Sequence, residues 1–293
     1  MFTRDTNQNK GFLPKKLCSF LSAKITMSSN NPPRAPWREL LDFQLRQTPG
    51  YEFTIATVEQ SEEGKYFPRA RICGFRGFFP DVELHPNGEN DMQEQVINGG
   101  NPPSFESDLF TFTTDARMEK LSQLQSSEHE IEALFWLKEV SSQWRVRGKA
   151  FAIGNPRGEC DEGEREARAA IRRELRLKPG TNSASAGWTF EHAVTKYFAN
   201  HSPVMRGSFR APPPGNPKRG DFPDSGPNSS LALTDLYDNV ARENFRVVGI
   251  CPREVEQLDL SDRDRLRRWR WTLETKGEDE KISFQWLQTE LNP

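Results

Sequence analysis

The chain has 293 residues, 40 lysines and arginines against 42 acids, and a net charge of -2 at neutral pH. A pI near 6.2 provides no global pull toward nucleic acid or anionic lipid. Mean hydropathy is -0.78, and no apolar run approaches the roughly 20 residues of a membrane helix, so neither a nucleic-acid nor a membrane partner is expected.

The length allows one large domain or two modest ones. Cys18, Cys73, Cys160 and Cys251 show no CxxC spacing and read as reduced intracellular thiols, not as a disulfide framework or a zinc site. Met1 to Thr26 carries Arg4, Lys10, Lys15, Lys16 and Lys24 against Asp5 alone. That composition resembles a weak mitochondrial presequence; a disordered tail, or a start at Met27, is the plainer explanation. A cytoplasmic protein is the expectation, with mitochondrial targeting as the alternative. Ser28 to Arg34 is polar and Pro-rich, so residues 1–34 read as tail and linker and 35–293 as the folded domain.

Pro36 to Arg46 reads as a packing helix, with Trp37, Leu40, Leu41 and Leu45 on one face and Pro49-Gly50 as its stop. Phe53 to Val58 is a short β-branched strand, and Glu62-Glu-Gly-Lys65 a turn. A cation-bearing strand follows. Arg69 and Arg71 share a face by period two, and Arg76 joins them only if Gly74 hosts a bulge. Residues 84–106 read as a long polar insertion.

Leu109 to Thr113 is the next strand, running into a helix that Thr113, Thr114 or Asp115 can cap. Met118, Leu121 and Leu124 form that helix's apolar face, while Arg117 and Lys120 sit in its first turns. Cations there oppose the helix dipole, whose free N–H groups attract anions. Ile131 to Leu137 is an apolar strand. The next strand sends Gln143, Arg145, Arg147 and Lys149 to one face and Trp144, Val146 and Ala150 to the other. A small sheet gathering cations around a helix start suits an anionic ligand, and a phosphate-bearing cofactor is the natural candidate.

Asp161 to Arg176 reads as a helix with Ala167, Ala170, Ile171 and Leu175 inward and its charges in solvent. Trp188 to Ala199 is another, its His192 more simply structural than catalytic. Residues 211–230 are a Pro/Gly-rich insertion, and Phe245–Cys251, Glu254–Leu260 and Arg268–Leu273 are closing strands. The triplets at Asn200 and Asn228 carry no weight without secretion. Ser-His-Asp and metal-ligand spacings are missing, as are GxGxxG and GxxxxGK loops, so no catalytic residue and no metal is assigned.

The order of these pieces resembles the pyridoxamine 5'-phosphate oxidase-like family of FMN-binding split β-barrels. The family's arginine strand stands here as Arg71-Ile-Cys-Gly-Phe-Arg76, its aromatic-Thr strand end as Phe112-Thr113, and its phosphate-gripping helix as Arg117 and Lys120. Gln143 opens a strand that ends Gly148-Lys149-Ala150, and Arg265-Leu-Arg-Arg-Trp269 matches the closing hairpin. The family's Ser-Arg-Lys triplet is Arg117-Met118-Glu119-Lys120 here, so Lys120 carries over and Arg117 stands in. A tail Trp beside the flavin is replaced near Leu258 or Asp259. Ser202-Pro…Arg206…Pro-Pro-Pro-Gly215 resembles a divergent branch of FMN-binding proteins, not the segment that grips pyridoxal phosphate.

The resemblance implies a mainly β fold with flanking helices (α+β), an FMN-binding split barrel. It implies FMN held by Arg71, Arg76, Phe112, Thr113, Arg117, Lys120 and Gln143, with Arg206 and Arg265 as candidates for substrate contact. It further implies a homodimer with FMN between subunits and a small-molecule substrate. The expected activity is that of an FMN-dependent oxidoreductase. Pyridoxamine 5'-phosphate oxidase itself (vitamin B6 salvage) and a flavin binder without turnover are the alternatives. A nucleic-acid-binding barrel is disfavoured by the acidic pI.

Overall fold

The computed structural model describes residues 31–50, 52–96, 100–181, 187–217, 232–276 and 283–293. The basic N-terminal segment, Cys18, most of the 211–230 insertion and the triplet at Asn228 lie outside the described residues.

One antiparallel sheet organises the molecule. In chain order its strands are β1 (Glu52–Gln60), β2 (Tyr66–Gly74), β4 (Phe110–Asp115), β5 (Glu130–Leu137), β6 (Ser142–Ile153), β8 (Phe245–Asp259), β9 (Arg267–Lys276) and β10 (Ser283–Leu291). They run β10-β9-β8-β6-β5-β1-β2, and β4 also pairs with β8. β3 (Phe105–Glu106) and β7 (Arg176–Leu177) form a separate two-stranded ribbon. The expected mainly β fold with flanking helices is the one observed.

Period-two alternation explains which way the strands face. Phe53 and Ile55, then Ile131, Ala133, Phe135 and Leu137, then Trp144, Val146 and Ala150, turn into one core with Phe110, Phe112 and Trp271. Phe53 stacks on Phe135 and Phe75 meets it edge-on, so aromatic rings fill the barrel. β8 closes the barrel because it is long. Residues 245–250 pair with β4 while the strand also pairs along β6. Two closing strands were expected here; a single 15-residue strand is found. Its ladder with β6 shifts between Arg147 and Gly148, opposite Pro252, which has no N–H to give. The strand bends there without ending, and a Cβ at Gly148 would lie 2.0 Å from the Cys251 carbonyl oxygen.

The helices are α1 (Arg38–Leu45), α2 (Pro86–Gln95), α3 (Glu119–Ser126), α4 (Glu162–Glu174), α5 (Phe190–Ala199), α6 (Pro203–Ser208) and α7 (Asn239–Asn244). A second apolar core lies among α2, α4, α5 and the start of β8, centred on Phe79, Phe105, Ile171, Tyr197, Phe198 and Phe245.

Several expectations give way to tertiary contacts. The polar insertion contains α2, started by Pro86 and by a His85 side chain that accepts from Gly88 N. Gly88 lets α2 press on α5, since a Cβ there would fall 2.6 Å from the Ala199 carbonyl oxygen. Leu40 is exposed, and Trp37 precedes α1 instead of lying within it. Charges on α4 are not all solvated. Glu164 and Arg168 are buried as an ion pair, and Glu164 accepts from Gly154 N and Asn155 N.

Among the described residues no helix is long and apolar enough to cross a membrane, and no group of three or more His, Cys, Asp or Glu side chains is placed to hold a metal.

Candidate functional site

The predicted site residues fall into two groups on opposite faces of β4. Phe112 and Thr114 turn toward the barrel and α3; Thr111 and Thr113 turn toward α5, where Tyr197 Oη donates to Thr111 Oγ1.

On the α3 side, Arg71 and Lys120 come together. Arg71 Nη1 donates to Thr57 Oγ1 (2.5 Å) and Nη2 to Gln123 Oε1 (2.7 Å). Lys120 Nζ donates to Thr114 Oγ1 (3.0 Å) and lies 2.9 Å from Met118 Sδ. Every one of these partners is neutral. Lys120 is 5% exposed, yet among the described residues no carboxylate lies within 4.0 Å of its ammonium or of the Arg71 guanidinium. Burial lowers both pKa values; Arg69 adds repulsion at Arg71 and Arg71 adds it at Lys120, against attraction from Glu119 and Asp115 respectively. Cys73 completes the group; burial raises its pKa, against the opposing influence of Lys120 and Arg71.

Helix α3 starts beside this pair. Its N-cap is Met118, without a side-chain cap, so the expected cap from Thr113, Thr114 or Asp115 is not made. Asp115 instead takes Arg117, accepting from its backbone N, Nε and Nη2. Uncapped N–H groups and two cations without counter-ions form a concentration of positive potential that an anion relieves.

On the α5 side, Arg76 and Thr113 are joined through His201, a residue the sequence reading passed over. Arg76 Nη1 donates to Asn200 Oδ1 (3.0 Å), and its Nη2 lies 3.3 Å from His201 Nδ1. His201 Nε2 lies 2.8 Å from Thr113 Oγ1. Arg76 Nε is buried without a partner, and burial lowers the guanidinium's pKa. After Gly74 the chain leaves β1, and Arg76 N donates to the Thr111 carbonyl. That change of partner, not a bulge within β2, carries Arg76 to the other face of β4.

Other candidates lie elsewhere. Arg117 Nη1 donates to Ala211 O in addition to its Asp115 pair, so it is not in the Arg71–Lys120 group. Phe112 is a core residue. Gln143 lies half-buried on the outer face of β6. Arg206 is fully buried on Asp91, and Arg265 is exposed between β8 and β9; neither joins the two groups.

The fold is a split barrel, and its cation pair at an open helix start has the chemistry that suits an anion. Residues 34–154 match the family model of the pyridoxamine 5'-phosphate oxidase FMN-binding domain. That stretch contains every candidate on β2, β4, α3 and β6, and the domain it matches is one that binds FMN as its cofactor. Among solved structures, the chain is similar to a pyridoxamine 5'-phosphate oxidase-related, FMN-binding protein from Nostoc punctiforme PCC 73102. Identity is 19%, covering 89% of this chain and 100% of that one, with a TM-score of 0.54, and the likeness is one of fold. PhzG from Burkholderia lata 383, solved with tetrahydrophenazine-1-carboxylic acid, aligns over 89% of this chain and 94% of its own at 14% identity and a TM-score of 0.45. Comparison with curated proteins finds no match.

The residues present fit the cofactor. A phosphate monoester needs cations and N–H donors that are not already neutralised. Arg71, Lys120 and the start of α3 supply both.

Proposed function

We propose that this protein is an FMN-dependent oxidoreductase of the pyridoxamine 5'-phosphate oxidase-like kind, with its own small-molecule substrate. The reading rests on one observation above the others: Arg71 and Lys120 are drawn together in a half-buried place where no carboxylate neutralises them. Holding two such cations uncompensated is unfavourable for folding alone, so the arrangement makes sense as a receptor for a dianion.

Arg71 and Lys120 would hold the cofactor's phosphate, with N–H groups of α3 beside them. Thr113 and Arg76 would present donors to the ring from the α5 side, and Gln143 would meet its polar edge. Phe112 would act through packing, and Arg117 would fix the turn before α3. When bound, FMN supplies a hydride or electron acceptor, and donors near its carbonyl edge favour the reduced form. No protein nucleophile is needed.

A homodimer completes this reading. β2 is exposed along most of its length, and Ile72 and Trp136 are exposed at 70% and 52%. Ile72 and Leu134 both pair with Thr54, which places these side chains on one outer sheet face with Trp136. A second copy covering that face would bring Gln143 and the β8–β9 turn of one subunit toward the cations of the other.

A specific observation favours a substrate other than pyridoxamine 5'-phosphate, or flavin binding without turnover. Arg206 is consumed by Asp91, and Arg265 points to solvent, so neither offers a free guanidinium to the cofactor groups in the single chain. The experiment is purification under native conditions. A yellow protein that releases FMN on denaturation supports the reading, and a colourless one that fails to bind added FMN sinks it. Hydrogen peroxide formed with pyridoxamine 5'-phosphate would identify the oxidase itself. Reduction by a nicotinamide donor would separate an enzyme from a binder.

A further inference from the structure

His201 lies just past the C-terminal end of α5, 4% exposed, with its ring edge-on to Phe209 and Phe245. Both ring nitrogens are engaged: Nδ1 faces Arg76 Nη2 at 3.3 Å and Nε2 faces Thr113 Oγ1 at 2.8 Å. A guanidinium has only donors, so Nδ1 must present its lone pair to Arg76. Burial, with the charges of Arg76 and Arg206 nearby, lowers the ring's pKa to about 3, so the imidazole is neutral and carries one proton. That proton is therefore on Nε2, and Nε2–H donates to Thr113 Oγ1.

The consequence falls on Thr113. A hydroxyl has one hydrogen to give. With its oxygen accepting from His201, that hydrogen is available, and among the described residues no acceptor for it is found. The backbone points the same way. Thr111 N donates to Gly77 O and Thr111 O accepts from Arg76 N, so Thr111 faces away from β8. Antiparallel alternation turns Thr113 to that same edge, past the point where residues 76–79 cover it.

We propose that His201 is a positioning residue for the cofactor ring: by accepting from Arg76 and donating to Thr113, it sets both side chains as outward donors to a carbonyl-type oxygen of the ligand. This rests on the flavin reading above. The alternative is that His201 only ties the end of α5 to β4.

The test uses the full chain labelled with ¹⁵N-histidine, together with FMN titrations of His201→Leu, Thr113→Val and the double variant. The proposal expects an Nε2-protonated ring at neutral pH in the cofactor-free protein. It expects each single variant to weaken FMN binding roughly tenfold, the scale of one lost hydrogen bond. The double variant should lose little more than either single one, because both remove the same oriented donor. Thr113→Ser, which keeps the hydroxyl, should stay within about threefold of wild type, and it carries the comparison with Thr113→Val if His201→Leu does not fold. An Nδ1-protonated ring, or losses that multiply in the double variant, overturns the proposal and leaves the flavin reading standing. Wild-type protein that binds no FMN overturns both.

Discussion

Two groups of cations in this barrel have opposite electrostatics. On the outer face of the sheet, Arg145, Arg268 and Arg270 all donate to Glu256, which is 4% exposed. Burial alone would raise that carboxyl's pKa, but the hydrogen bonds from Arg268, Arg145 and Arg270 outweigh it and hold the group at about 2. Glu254 and Glu132 add further pairs with Arg147 and Arg145. Around α3, by contrast, the hydrogen-bond partners of Arg71 and Lys120 are hydroxyls, an amide oxygen, a backbone carbonyl and a thioether, with no carboxylate among them. Both regions read as basic in the sequence. Whether the fold supplies its own anion separates structural charge from charge held ready for a ligand.

The strongest way to break this contrast is to remove the uncompensated pair. Arg71→Ala and Lys120→Ala should each cost about 1–3 kcal/mol of FMN affinity, and together about a hundredfold or more, read by flavin fluorescence on titration. Unchanged affinity in both single variants would falsify the phosphate assignment. At the neutralised group the effect should fall on folding. Glu256→Ala strands three arginines and should lower stability by about 2 kcal/mol in urea unfolding, less than for a fully buried network because the arginines are partly wet.

The acid response gives the same contrast a sign. A carboxyl with a depressed folded-state pKa contributes its stability above the usual carboxylate range and loses it as pH falls. The Glu256 contribution should therefore fade between about pH 4.5 and about pH 2. Glu256→Gln should flatten that part of the stability–pH curve; a curve superimposing on wild type would show that the group is not coupled to folding. The smallest effect sharpens the comparison most. Lys120→Met in cofactor-free protein relieves repulsion and burial of a charge, so it should raise stability by up to about 1 kcal/mol, or roughly 2–4 °C in melting temperature. A clear fall in melting temperature would mean that Lys120 is structural after all.

Much of the barrel was legible in the residues. Strands β1, β2, β5 and β6 follow their period-two patterns, and the inward set on β6, Trp144, Val146 and Ala150, is the one observed. Arg71 and Lys120 were legible as cations at strand and helix positions. Elements held by remote contacts were not. Helix α2 looks polar, and only packing of Gly88 against α5 gives it a place. The continuity of β8 through Pro252 depends on a bulge at Arg253 in its own ladder with β6. His201 gave no periodic or motif signal, and its importance comes from Thr113 and Arg76, 88 and 125 residues away in the chain.

From the sequence alone came the sheet-forming segments, their inward faces and the presence of several cations in one region, because alternation and side-chain chemistry are local properties. Tertiary structure alone decided which of those cations remain without an anion. It left Arg71 and Lys120 uncompensated, gave Arg117 to Asp115 and Arg206 to Asp91, and carried Arg76 around to His201. Neutralisation depends on which distant carboxylates the folded chain brings within reach.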